Sequence, residues 1–257
     1  MGYTSEPSDE DGIYDIYIWN YGAGEYGYNH SEGNGKSYLQ IDNNYEGYTS
    51  PVPPNKLMQI TVAHEYFHAI QRGYKTNYGN DSYFLEMSSM WIEDVIVPDG
   101  NDYLQGWYEP LYNKPTAAFD NTGKGYELAL FGHYLSSFID TKGIEYAKYS
   151  TIMRKIWERY RSSSNSAFAA VKYILEDPDG EYNRSFVELW VDFIARNLFT
   201  GIYQDMDNPY YYYIDQTLIN YPINTTIHNM DALDDPINLD LNLDNKSVFL
   251  SPVLFSK

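Results

Sequence analysis

The 257-residue sequence has no cysteine, which rules out disulfides, thiolate metal sites and a thiol nucleophile but leaves the cellular compartment open. Cations are scarce as well. Lysine and arginine number 17 against 36 aspartates and glutamates, and the net charge of −19 repels phosphate and anionic membranes alike. A nucleic-acid partner is therefore not expected. No hydrophobic run approaches the length of a membrane span, so membrane insertion is not expected either. A basic segment followed by an apolar stretch is missing at the N-terminus, and Met1-Gly2 with Glu6 departs from the myristoylation pattern. Histidine is the last scarcity, with five in the chain.

Tyrosine, by contrast, is abundant at 29 residues and is accompanied by many asparagines and glycines. With Asn-X-Ser/Thr sequons at Asn29, Asn80, Asn183, Asn224 and Asn245, this composition predicts an extracellular or cell-surface location. A hydrophobic content of 43% is enough for one sizeable core. The expected division is a domain over residues 1–205, with sheet plus one helix in 1–74 and helices in 75–205, then an Asp/Asn/Pro/Tyr-rich arm or the start of a β module over 206–257.

Two of the five histidines fall in His64-Glu65-Tyr66-Phe67-His68, within a stretch where Leu57, Ile60, Ala63, Phe67 and Ile70 recur at helical spacing. Pro51, Pro53 and Pro54 precede it as an extended approach, and Gly73 reads as its stop. Imidazoles four residues apart on a helix share one face and can hold one zinc ion. Glu65, beside the first of them, is placed to take a proton from a zinc-bound water. That chemistry needs a third protein ligand. Ser82 is a plausible cap for a second helix, which carries Glu86 and Glu93 on one face; Glu86 is favoured as ligand and Glu93 as the carboxylate orienting a ligand histidine, with the reverse left open.

His64-Glu65-x-x-His68 followed at this distance by Glu86-Met-Ser-Ser-Met-Trp-Ile-Glu-Asp resembles the gluzincin branch of zinc metallopeptidases. Tyr14-Asp-Ile-Tyr-Ile, Ser37-Tyr-Leu-Gln-Ile-Asp-Asn, Thr61-Val-Ala-His-Glu-Tyr-Phe-His-Ala-Ile-Gln, Asn101-Asp-Tyr-Leu and Asn197-Leu-Phe-Thr-Gly are similar, in that order, to a family of secreted bacterial and archaeal metalloproteases. The resemblance implies an α+β, zincin-like fold: a small mixed N-terminal sheet whose edge strand lines the cleft, the active-site helix, and a mainly helical second half. One position departs from the pattern, because gluzincins often carry an aspartate four residues after the glutamate ligand and Met90 stands there.

The resulting expectation is a zinc endopeptidase acting on peptide or protein substrates, with zinc on His64, His68 and Glu86, and Glu65 as general base. Tyr126 and His133, seven apart in an expected helix from Tyr126 to Phe138, are the candidates for the oxyanion donor. Substrate is expected along a strand near Tyr38 to Asp42. Acidic turns at Ser8–Gly12 and Asp177–Glu181 carry the carboxylates of a structural calcium site, although plain solvated turns explain both. The rival classes are a zincin that has lost turnover, a peptide- or glycan-binding module, and a zinc hydrolase of a non-peptide amide or ester.

Overall fold

A computed structural model describes residues 1–7, 11–113, 118–120, 125–140, 149–162, 166–197, 200 and 212–219. The architecture is α+β. Strands β1 (Ile16–Trp19), β2 (Gly27–Gly33) and β3 (Lys36–Asp42) form a mixed sheet in the order β1-β3-β2, with β1 parallel and β2 antiparallel to β3. Alternation in the sequence marks the outer and central strands, but the segment between them reads as a loop. Its Gly27, Asn29 and Gly33 are poor strand formers, so β2 is held by its pairing with β3 rather than by its own composition. Two consequences follow for the site. Strand β3 is paired on both sides and has no free edge, which corrects the expectation that substrate adds near Tyr38 to Asp42. Among the described residues, the free edge beside the helix that carries His64 and His68 belongs to β2.

Helix α1 (Pro54–Tyr74) begins with proline at its first turn, where a missing N–H costs nothing. It buries Leu57, Ile60, His64, Phe67 and Gln71 at three- and four-residue spacing. Gly73 does not end it. The helix runs one residue further, and a Cβ on Gly73 would lie 3.0 Å from the Ser5 carbonyl, so the glycine admits the N-terminal segment instead.

Helix α2 (Ser82–Ile96) buries ten of its residues, including Phe84, Met87, Trp91 and Glu93. Helices α3 (Glu109–Asn113), α4 (Ala129–His133), α5 (Ile152–Ser162), α6 (Ala167–Glu176) and α7 (Phe186–Asn197) complete the helical part among the described residues. One aromatic-rich core joins Phe84, Trp91, Phe119, Phe131, Trp157, Phe186, Trp190 and Phe193, and it includes Tyr212, Tyr213 and Ile219. Gln216 Nε2 donates to the Arg196 carbonyl, so residues 212–219 of the expected arm pack on this body. Most of 206–257 lies outside the described residues. No described helix is long and apolar enough to cross a membrane.

The expected continuous helix from Tyr126 is instead a 3-10 turn (Tyr126–Leu128), then α4, then a π segment (Tyr134–Ile139). Gly125, at φ +86°, leaves no room for a side chain: a Cβ would fall 2.1 Å from the Tyr83 carbonyl. The 3-10 turn shifts the phase of the seven-residue spacing between Tyr126 and His133 away from that of a continuous α-helix. Gly132 on α4 lies against Trp91, whose indole Nε1 donates to Ser136 Oγ at 2.9 Å. An added methyl would sit 2.9 Å from Trp91 Cγ. Gly132→Ala is therefore expected to lower stability by about 1–3 kcal/mol through overpacking. Urea unfolding checks this, and an unchanged midpoint would show that α4 can move off α2 freely.

Candidate metal centre and active site

Helices α1 and α2 meet in antiparallel order, so that His64 faces Glu93 and Glu86 while Gln71 faces Leu85 and Ser88. The pairing brings ligand atoms of His64, His68 and Glu86 within 4.8 Å of one another, the one such metal-competent group among the described residues. Glu86 Oε2 lies 3.2 Å from His64 Nε2 and 3.7 Å from His68 Nε2. Both imidazoles thus present Nε2 to one carboxylate.

Their other nitrogens are occupied. His64 Nδ1 makes a short hydrogen bond with Glu93 Oε1, and His68 Nδ1 donates to Gln71 Oε1 at 2.8 Å. Gln71 is fully buried, and its Nε2 donates to the Leu85 carbonyl and to the Ser88 and Ser89 hydroxyls, which fixes its oxygen toward His68. Met90, at the position where the resemblance implies an aspartate, is buried and lines the cleft. A glutamine one turn beyond His68 orients that ring. Sequence reasoning passed over Gln71, although its i+3 spacing from His68 and its place in the apolar stripe signal a buried amide with a task.

The electrostatics follow from the crowding of carboxylates. Burial alone would lower the His64 pKa, but hydrogen bonds to Glu86 and Glu93 outweigh it and raise the pKa well above the usual range. Burial pushes Glu93 up to about 7 despite its bond to His64. In the metal-free chain Glu86 and Glu93 thus favour a proton on His64, which a bound cation would displace from Nε2. Burial would also raise Glu86, but the two histidines hold its carboxyl far below the usual range, so it stays ionised. Such a donor set, two imidazoles fixed at Nδ1 and one ionised carboxylate, is chemically suited to zinc.

Glu65 is half-buried and lines the cleft on both sides of the histidines. Tyr126 lines both parts as well, with its ring centroid 6.1 Å from that of His64. Burial first, and then Glu86, Glu65 and Glu93, raise its phenol pKa, so Tyr126 is a proton donor at any working pH. His133 is the exception. It is 1% exposed, stacks on Tyr213 at 4.9 Å, and points its Nε2 to within 3.5 Å of Asp94 Oδ2. It does not line the cleft, and its ring packs against Tyr103 and Tyr213 instead. Of the calcium candidates, Ser8–Gly12 lies partly outside the described residues; Asp177–Glu181 is a turn in which Asp177 accepts hydrogen bonds from the backbone of Asp179 and Gly180.

No protein-family model, curated protein or solved structure matches this chain.

Two predictions follow from this geometry. Glu93→Gln is expected to weaken zinc binding about ten- to hundredfold, read by competition with a chelating dye, because the amide cannot hold the His64 proton as a carboxylate does. An unchanged affinity would mean that the His64 ring is fixed by packing alone. Burial also lowers the His133 pKa to about 3. A histidine depressed in the folded state lets the unfolded chain take up protons first, so stability is lost as pH falls from about 6.5 toward 3, by up to about 1.4 kcal/mol per pH unit. His133→Phe should flatten that acid limb of a stability–pH curve, and parallel curves would show that His133 accepts a proton without penalty.

Proposed function

We propose that this chain is a zinc-dependent endopeptidase of the gluzincin type, with a zincin-like catalytic fold, acting on peptide or protein substrates outside the cell or at its surface. The observation that carries this is the convergence of His64, His68 and Glu86 in a cleft that Glu65 and Tyr126 also line. His64, His68 and Glu86 would hold the ion, and three protein ligands leave a coordination position open. When bound, zinc would supply Lewis acidity toward a water and a substrate carbonyl.

The remaining work belongs to side chains. Glu65 takes a proton from the attacking water and passes it to the leaving amine. Tyr126 donates a hydrogen bond to the oxyanion that develops on the carbonyl. Glu93 and Gln71 keep both imidazoles in the ligand tautomer. An extended peptide lies along β2, whose Gly27, Tyr28 and Asn29 line the cleft and whose outer edge is free to pair.

Hydrolysis of an unfolded protein is the direct test. Glu65→Gln is expected to keep the metal and to slow cleavage about 10²- to 10⁴-fold. Cleavage at the wild-type rate in this variant, or in the chelated wild type, would contradict the mechanism.

A further inference from the structure

The proposed reading leaves open which peptides the cleft accepts, and the two sides of the histidines differ in charge. On one side, Arg72 lies one turn beyond His68 and donates through Nε to Asn29 Oδ1 at 2.7 Å, lining the cleft with Tyr78 and Leu85. The other side opens into a cavity of about 340 Å³, near the lower end of the ~300–1,000 Å³ typical of ligand sites. His64, Glu65 and Glu93 are part of its lining, so the cavity adjoins the candidate metal centre.

Three features of that cavity point to one kind of occupant. Asp102 lines it while being only 5% exposed, and among the described residues its carboxylate accepts a hydrogen bond from Ser50 Oγ, a neutral donor that offsets none of its charge. Tyr26, Tyr48 and Trp107 supply aromatic walls, with Trp107 set edge-on to Tyr126 at 5.1 Å. Glu25 stands exposed and lines both this cavity and the Arg72 side, and no lysine or arginine lines the cavity among the described residues. Burying a carboxylate without a counter-charge is costly, and burial does push the Asp102 carboxyl up. A ligand that brings the missing cation recovers that cost. Aromatic faces add attraction for an ammonium or guanidinium group and cover the aliphatic stem of a long side chain.

We propose that the Asp102 cavity is a specificity pocket for a lysine or arginine side chain of the peptide substrate, with Asp102 as its counter-charge and Glu25 as the entry residue. This rests on the peptidase reading for the identity of the substrate, but not on turnover. On the opposite side Arg72 stands among Glu25, Glu65 and Glu86 and offsets part of their charge, whereas no lysine or arginine does so in the Asp102 cavity among the described residues.

Equilibrium binding separates the pocket from the chemistry. The zinc-loaded Glu65→Gln chain is titrated with four otherwise identical Gly/Ala/Tyr peptides, blocked at both ends and carrying lysine, arginine, norleucine or glutamate at the centre. The basic peptides are expected to bind about tenfold tighter than the norleucine peptide, and the glutamate peptide weakest. Adding Asp102→Asn, which keeps the Ser50 contact, should remove the preference; Glu25→Gln, at an exposed site, should reduce it and its salt dependence without disturbing the fold. Equal affinities for all four peptides, or a preference unchanged by both substitutions, would overturn the pocket, and Glu65-dependent cleavage by the wild type would then still uphold the peptidase. Absence of binding by every peptide would overturn the pocket and the peptide substrate together.

Discussion

Everything the candidate site can do depends on two hydrogen bonds at the far nitrogens of two imidazoles. A histidine ring free to turn offers either nitrogen, and a protonated one offers none to a metal. Here Glu93 occupies Nδ1 of His64 and Gln71 occupies Nδ1 of His68, so both Nε2 atoms point at Glu86. Neither partner is at the surface. Glu93 is 6% exposed and Gln71 is fully buried, and they are held there by the bond from Glu93 to His64 and by those of the Gln71 amide to His68, Leu85, Ser88 and Ser89. The large aromatic core behind α2 serves this contact by leaving the helix no other place to lie.

The parts of this arrangement that were legible in the sequence are those that repeat at a fixed spacing on one element. His64, Glu65 and His68 follow from helical periodicity. The seventeen intervening residues from His68 to Glu86 are enough for a turn and an antiparallel return, and Glu93 lies two helical turns past Glu86. What the sequence concealed depends on partners distant in the chain. Strand β2 carries no pattern of its own and exists through pairing with β3, so the free sheet edge was placed one strand away from where it is. His133 shares a heptad with Tyr126 on paper, but a 3-10 turn shifts the phase between them and His133 packs against Tyr103 and Tyr213 instead. Asp102 and Trp107 come from a short irregular stretch after α2 that no period describes, and only the fold brings them to the cleft.

Charge then gives the cleft a direction. The net charge of −19 is spread over the whole surface and says little about any one subsite. Within the cleft the distribution is uneven: a guanidinium stands among the carboxylates on one side of the histidines, and on the other a nearly buried carboxylate has no lysine or arginine beside it among the described residues. Desolvation makes the buried member count for more than its exposed neighbours, because the same charge interacts more strongly where water is excluded. In the proposed reading, metal affinity and substrate preference would share a cause: carboxylates buried at a cost that a bound cation offsets.

X-ray absorption at the zinc edge of the zinc-loaded chain tests the central claim most directly. The account predicts one zinc per chain with two imidazole scatterers and oxygen donors at about 2.0–2.2 Å, the imidazole signal falling to one in His64→Ala. A stoichiometry near zero, or a zinc shell without imidazole that is indifferent to His64, would contradict it.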